Sequence, residues 1–442
     1  LLLIALLLVQ AAGVARAAEA YEPTGEVPAP RSQVKKEKPA WYTFIQPQAE
    51  LGYLTAFRLL DKTWTLRRAY AEVALKLPVD LSKKTGSTLT FNLVMKAFLE
   101  FVDNSTGTAY RTEATGEFRA ANLKFQSEKL AITVGAQEIA WGETFGFHIA
   151  DIVNPRDLTD PLFNDPEWQR EAVVALNSQL LLESWTFQFI FTPFTRDSDF
   201  ASPLGFFPVA EPPPEPTSAK FRRFGRDTEG GFRLGHLFVS GFDVNAFVYS
   251  HRSRNPAFQL GVGPSGPELF PIDLRVLSVG MSGSYAAGDF VFRGDVIHHS
   301  GIPVTAEDLG SPIVQNQTQS ILGIDWTLAE SQWTFGGQYH ADFWSRGSSR
   351  TPRGLVSLHA ISGRVAKPLL DGKLLPEIFV YQGLTARDRW IQPRLTWFPW
   401  QGLSFSLRAD FVEARSSVRL EDGVLAPLAD EDRVLFWTSL KF

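Results

Sequence analysis

Arg433-Val434-Leu435-Phe436-Trp437-Thr438-Ser439-Leu440-Lys441-Phe442 ends the chain and decides how the rest reads. Counting back from the terminal ring, Phe442, Leu440, Thr438, Phe436 and Val434 fall on one face of an extended strand. Lys441, Ser439 and Arg433 fall on the other. Side chains alternate across a strand, so this is a ribbon with one apolar and one polar face. Alone, such a strand suits a soluble sandwich as well as a membrane stave. The residues before it separate the two.

The chain has 442 residues, no Cys, two Met and 13% aromatics, with 35 Phe and 12 Trp. That many rings suits a surface facing hydrocarbon and its two boundaries. The mean hydropathy of −0.07 is far too polar for a bundle of membrane helices. A formal charge of −5 lacks the basic field of a nucleic-acid binder. Without Cys the chain has no disulfide, thiolate nucleophile, Cys-ligated zinc or covalent c-type haem attachment.

Residues 1–12 form an apolar run followed by Ala15-Arg16-Ala17, the pattern of a secretory signal peptide cleaved after Ala17. The run is short for a membrane span of about 20 residues. Residues 18–40, with Pro23, Pro28, Pro30 and Lys35-Lys36-Glu37-Lys38-Pro39, read as a flexible periplasmic segment. From Trp41 to Phe442 the sequence breaks into segments of about ten residues with period-two alternation. Ala69, Ala71, Val73, Leu75 and Leu77 alternate with Arg68, Tyr70, Glu72 and Lys76. Leu403, Phe405, Leu407, Ala409 and Phe411 alternate with Ser404, Ser406, Arg408 and Asp410. The pattern weakens near 114–126 and 354–366, which predicts bulges or register changes there.

Short turns, such as Ser240-Gly241 and Ala287-Gly288, alternate with long loops near 141–170, 195–227, 253–273, 300–317 and 414–431. Such parity predicts an all-β fold: a transmembrane antiparallel up-and-down β-barrel of about 18 strands, or 16 if one pair does not span. An even count puts both termini in the periplasm, and a barrel this wide leaves an aqueous channel. In this setting the closing strand resembles that of bacterial outer-membrane barrels, with Phe436, Leu440 and Phe442 as the motif that the assembly machinery reads.

The register predicts a pore lining of Arg58, Arg68, Glu72, Lys96, Glu100, Arg233, Arg293, Asp295, Asp325, Asp342, Arg394, Arg408 and Asp410. These charges either set a transverse field or simply solvate the wall as pairs; their signs nearly balance. The segment from Trp141-Gly142-Glu143 through Asn154-Pro155-Arg156-Asp157 to Glu171 is too long and aromatic for an idle connection. It is expected either to cap the surface or to fold into the mouth as a constriction that uses Trp141, Glu143, Asn154, Arg156 and Asp157. The run WGETFGF…NPRDL…RE resembles an uncharacterised porin-like proteobacterial outer-membrane family and, more broadly, alginate-export-type barrels. That resemblance implies a fold and a Gram-negative outer-membrane location, without a substrate.

The expected function is passive passage of small hydrophilic solutes, selected by the inward loop and the mixed lumen charges, with no cofactor. The alternatives are a sheath or export conduit around a cytochrome or secretion component, and an outer-membrane lipid hydrolase. Expected partners are outer-membrane lipid and lipopolysaccharide, the barrel-assembly machinery, the solutes, and a second copy or lumen partner. Nucleic acid is not among them. The scattered histidines, including His298-His299, His340 and His359, have no metal-ligand spacing.

Overall fold

The computed structural model describes residues 46–442 except 61–63, 83–85, 104–109, 145, 159–161, 163–168, 195–197, 201–226, 255–256, 264–265, 307, 346–356, 387, 415–424, 426–427 and 430. The leader at 1–17, the segment at 18–40 and the Pro-rich run at 208–216 lie outside the described residues.

Eighteen antiparallel strands form one sheet. The first, Gln46–Arg58, pairs both with its successor Trp64–Ser82 and with the last, Arg433–Lys441. Leu51 lies opposite Leu440 and Arg58 opposite Arg433, so the sheet closes and no strand edge is left. Closure satisfies the backbone without water, as spanning a bilayer requires. No helix among the described residues is long and apolar enough to cross a membrane, which leaves a strand-built crossing untouched.

Connections alternate in length. One end carries tight turns, for example between Arg275–Ala287 and Phe290–Val304 and between Arg389–Trp400 and Leu403–Glu413. Gly402 there has φ 89°, and a Cβ at that residue would sit 2.5 Å from the Lys441 carbonyl oxygen. Glycine is the residue that fits such a left-handed turn against a neighbouring backbone. The other end carries the long loops, although the connections at 59–63 and 384–388 are short. The 253–274 loop contains its own hairpin, Ala257–Gly263 with Gly266–Ile272.

The two faces of the wall separate cleanly. On Arg275–Ala287, Leu277, Val279 and Met281 are exposed, whereas Ser278 and Ser282 on the opposite parity are buried. The exposed parity is the outer, hydrocarbon-compatible surface. An Arg or Lys there would cost about 2–4 kcal/mol at a bilayer midplane. Near the turn end, outward rings stack in series: Phe290 on Trp326 at 5.5 Å, Trp326 on Phe335 at 5.4 Å, Trp397 on Phe405 at 5.6 Å. A belt of rings at one height fits an interface between hydrocarbon and water.

The two weak stretches have different causes. In Tyr110–Gln126 the register shifts between Val94 and Met95, which face Ala120 and Phe118, so Arg119 is an inserted bulge residue. A bulge resets the parity of the strand and re-aims a side chain. At 354–366 no bulge is present among the described residues: Ser357–Ala366 pairs continuously with Trp333–Trp344. The alternation fades there because small residues, Ser357, Ala360, Ser362 and Gly363, carry little hydropathic contrast.

Candidate functional site: a loop across the barrel interior

Residues 138–172 link strands Leu130–Gln137 and Val173–Leu182, and the described residues among them turn into the barrel. Asn154 staples the two limbs at their base. Its amide nitrogen donates to the carbonyls of Gln137 and Glu171, and its Oδ1 accepts from the Ile139 amide at 2.7 Å. Asp151 then shapes the turn by accepting from the backbone amides of Trp141 (2.8 Å) and Gly142 (3.0 Å) and pairing with Arg170 at 2.7 Å. Burial would push this carboxyl up, but Arg170 and the Gly142 amide outweigh it and hold Asp151 below the usual aspartate range. Trp141 is buried, its indole donating to Gln188 at 3.0 Å and its rings packed on Phe247 and Tyr249.

The loop next reaches Phe290–Val304. Asp295 accepts from the amides of Glu143 (3.2 Å) and Thr144 (3.4 Å) and from the Thr144 hydroxyl at 2.8 Å. Beyond it Phe147 inserts between His340 (4.9 Å), Tyr381 (5.5 Å) and Phe379 (6.4 Å). Those rings stand on strands half-way round the sheet from the loop's own anchors, so the loop spans the interior. Further on, the Leu162 carbonyl accepts from Arg408 at 2.6 Å.

Asp295→Ala removes the latch on the Glu143–Thr144 turn. Hydrogen bonds to a charged group contribute about 1.5–3 kcal/mol each, so amide-exchange protection at Glu143 and Thr144 should fall about 100-fold. Unchanged protection would show that the turn is held elsewhere.

Inward folding builds two apolar cores inside the wall. One joins Trp141, Ile152 and Val153 to Ile190, Phe247 and Ile297. The other joins Leu162, with Leu425 and Leu428 of the last long connection, to Phe379, Tyr381 and Trp390. This corrects the expected lining. Asp295, Arg408 and Asp410 point inward, but they are buried beneath the loop and hold protein groups instead of facing lumen water. Asp410 accepts from Arg408 (2.9 Å), Arg433 (2.8 Å), Trp390 (3.1 Å) and Gln392 (2.8 Å).

The constriction residues also divide. Trp141 and Asn154 are internal fasteners. Arg156 donates to the His148 carbonyl, and its amide donates to Ser198, while Asp157 lies in a two-residue bridge to Asp199. Glu143 has a part-exposed carboxylate, 3.7 Å from Arg233 and 3.9 Å from Arg293. Burial raises its pKa, with Arg233 drawing it back.

Elsewhere the predicted charges meet as pairs. Arg293 meets Asp325 at 2.9 Å, Arg68 pairs with Glu100, and Arg58 lies 3.5 Å from Glu431. Asp342 accepts from the amides of Gln317 (2.9 Å) and Gln319 (3.3 Å). Arg394 faces Arg408 in the strand register, next to the buried cluster. Phe436, Leu440 and Phe442 sit on the outward parity of the closing strand, with Phe442 donating to the Ala49 carbonyl at 2.8 Å.

The loop contacts described above run over strands from Trp185–Thr192 round to Leu403–Glu413. The sector of the first strands carries a different surface. Bulged Arg119 donates to both Glu138 oxygens (2.9 and 3.2 Å) and to Glu72 at 3.2 Å, and Lys96 lies 3.9 Å from Glu72. Lys96 also stands over Tyr70 (5.3 Å) and Phe98 (5.5 Å), and Arg68 stands over Phe98 at 4.9 Å. Tyr70 donates to Glu50 at 2.7 Å. Sequence parity missed Arg119, because a bulge residue belongs to neither face of a regular strand. It missed Glu138 because that residue lies one position past the strand end. A chain of His251, Ser278 and His299 was also not foreseen: the serine oxygen is 2.8 and 2.7 Å from the two rings.

No family model and no curated protein matches this chain. Solved structures do. Acinetobacter baumannii OccAB1 aligns with a TM-score of 0.53 at 9% identity, covering 90% of this chain and 96% of that one. Pseudomonas aeruginosa OccK5 (OpdH) aligns at 0.51 and 9%, covering 90% and 98%. Pseudomonas aeruginosa OpdK, in a crystal structure with vanillate, aligns at 0.52 and 8%, again covering 90% and 98%. At this identity the likeness is one of fold.

Proposed function

We propose that this chain is an outer-membrane channel through which small hydrophilic solutes pass passively. The observation that carries this reading is the loop at 138–172, which crosses the interior and is fastened to the far wall by Asp295, Phe147 and Leu162. A closed barrel whose own loop narrows it, beside a wall of paired charges in which Lys96 is buried, suits restricted diffusion. The passage runs along strands Trp64–Ser82, Ser87–Asp103 and Tyr110–Gln126, where Arg68, Glu72, Lys96, Glu100 and Arg119 face inward. Purified protein in planar bilayers should give discrete open-channel steps; a silent barrel would overturn the reading.

Two alternatives fit less well. A sheath needs room for a partner, whereas this interior is partly filled by the chain's own loops and apolar cores. A hydrolase would need a reachable nucleophile, and Ser278 between its two histidines is fully buried. The leader, the periplasmic placement of both termini, recognition of Phe436, Leu440 and Phe442 by the assembly machinery, and kinship with the porin-like family of the WGE…NP-x-D run complete the proposal. Vanillate, the small aromatic carboxylate in the OpdK structure, is a reasonable first solute for transport assays on this chain.

Ion preference should hinge on Arg119. Arg119→Gln removes the cation shared by Glu72 and Glu138. One unit charge ~8 Å from an ion path in water changes the energy of a cation and of an anion by ~0.5 kcal/mol each, in opposite directions, so the cation-to-anion permeability ratio should rise about fivefold. Reversal potentials across a salt gradient measure it; no shift would place Arg119 away from the ion path.

A further inference from the structure

At the foot of the constriction loop the inner wall carries ions that cancel and amides that do not ionise. Glu138 is the first residue of the loop, and bulged Arg119 clasps both its oxygens (2.9 and 3.2 Å) and Glu72 at 3.2 Å. Lys96, 3.9 Å from Glu72, brings the group to two acids and two bases. A cluster balanced in this way offers a passing ion little net field. It still fixes donors and acceptors in space. Arg119 spends three of its five N–H groups on the carboxylates, and each carboxylate oxygen has a second lone pair. The side chains of Arg119, Glu72 and Glu138 remain 16%, 21% and 19% exposed, so a solute can reach them.

Beside the ions runs a belt of carboxamides. Asn122, three residues past Arg119, faces Asn92 in the register and accepts from it at 3.0 Å. Asn122 in turn donates to the Ala136 carbonyl at 2.9 Å. From the other side the Trp141 indole donates to Gln188 (3.0 Å), Gln188 to Asn177 (3.0 Å), Asn177 to Gln137 (3.2 Å), and Gln137 to the Ala175 carbonyl (2.9 Å). The two relays converge on strand Leu130–Gln137. Each amide is held in one orientation by its neighbours, so its remaining donors and acceptors point in fixed directions. Gly135 lies opposite Asn122 with φ 123°, and a Cβ there would sit 2.3 Å from the Ala121 carbonyl oxygen. Glycine therefore leaves a step without a side chain beside the amides.

A hydroxyl both donates and accepts, and a sugar or polyol presents several of them at fixed spacing. Carboxylate, guanidinium and carboxamide are planar groups that meet adjacent hydroxyls in pairs. We infer that this wall binds one neutral polyhydroxylated solute, a saccharide or polyol, as it passes. Its hydroxyls meet Glu138 and Arg119 on one side and Asn92 and Asn177 on the other. The inference rests on the channel reading and names its preferred cargo. An anion meets Glu72 and Glu138 as it approaches Arg119, and a cation meets Arg119 and Lys96 as it approaches the carboxylates. A solute without charge gains the hydrogen bonds and meets neither repulsion.

The test is single-channel recording of the full chain in planar bilayers, with raffinose, a neutral trisaccharide, added to one side. Raffinose should interrupt the open current in resolved events whose frequency rises with its concentration. Polyethylene glycol of the same hydrodynamic size, which lacks hydroxyl donors along its chain, should lower conductance without such events. Trigalacturonate, an anionic trisaccharide, should dwell for a shorter time than raffinose. Asn92→Leu removes one neutral hydrogen-bonding group and should shorten the raffinose dwell about fivefold; Glu138→Gln removes a charged acceptor and should shorten it about tenfold. Raffinose events matched by polyethylene glycol, a longer dwell for trigalacturonate, or wild-type dwell in both variants would each overturn the site. The first two compare solutes on the wild-type barrel, so a variant that fails to fold leaves the test intact. Open-channel steps without raffinose events would sink the saccharide site and keep the channel. Absence of any open step would remove the channel reading, and this site with it.

Discussion

Excising residues 145–165 and rejoining the ends raises the single-channel conductance several-fold. The segment removes itself from the lumen with Phe147 and Leu162, the two groups that carry the loop to the far wall. None of the barrel's ladder pairings comes from it, because strands Leu130–Gln137 and Val173–Leu182 pair directly from Leu130 with Leu180 to Gln137 with Val173. The wall therefore persists while the obstruction goes. The cost falls on the interior. Without Leu162 the cluster of Phe379, Tyr381 and Trp390 meets water, and Arg408 loses one acceptor while keeping Asp410. The variant should be less heat-stable yet still closed. Conductance equal to that of wild type would show that ions bypass the loop, and the constriction would have to be sought elsewhere.

How much of this was legible in the residues follows from periodicity. A strand that faces hydrocarbon outside and polar groups inside declares its register in every second residue, so the barrel, its closing strand and the turn-and-loop parity could be read directly. Arg68, Glu72, Lys96 and Glu100 could be placed on the inner face for the same reason. Periodicity breaks at Arg119, where one inserted residue flips the faces, and the residue with the densest ion contacts in that sector vanished from the pattern.

A second limit is that parity separates inside from outside but not wet from dry. Asp295 and Asp410 have the same inward parity as Asp325, yet the first two lie under the loop and Asp325 pairs with Arg293 at its margin. What covers an inward residue depends on long-range packing, here Thr144 on Asp295 and Leu162 near Arg408, separated by 151 and 246 residues. The apolar members of the inner cores offered a faint signal. Ile190, Phe247, Phe379 and Trp390 sit on the polar parity of their strands, which only a covering segment explains.

The largest stability effect should come from Asp410→Ala. This carboxylate is fully buried and is the shared acceptor for the guanidiniums of Arg408 and Arg433, with the Trp390 indole and the Gln392 amide completing its shell. Removing it leaves two cations facing each other without their common counter-charge. Breaking a buried ion pair from one side costs about 3–5 kcal/mol, much of it the penalty for the charge left behind. The temperature at which the folded barrel loses its fast mobility on a denaturing gel should drop sharply. Asp410→Asn, which keeps an acceptor oxygen for the indole or a guanidinium, should lie between that variant and wild type. A triple change, Arg408→Met with Asp410→Leu and Arg433→Met, is the decisive control. It removes every charge together, and such replacements are often neutral or stabilising by about 1–4 kcal/mol. Recovery in the triple variant would show that the cluster's weight lies in mutual compensation. A triple variant as weak as Asp410→Ala would instead make specific hydrogen bonds to Trp390 and Leu162 the decisive part. Arg433 opens the strand that closes the sheet, so either outcome also tells whether the seam depends on this buried charge or on its backbone ladder alone.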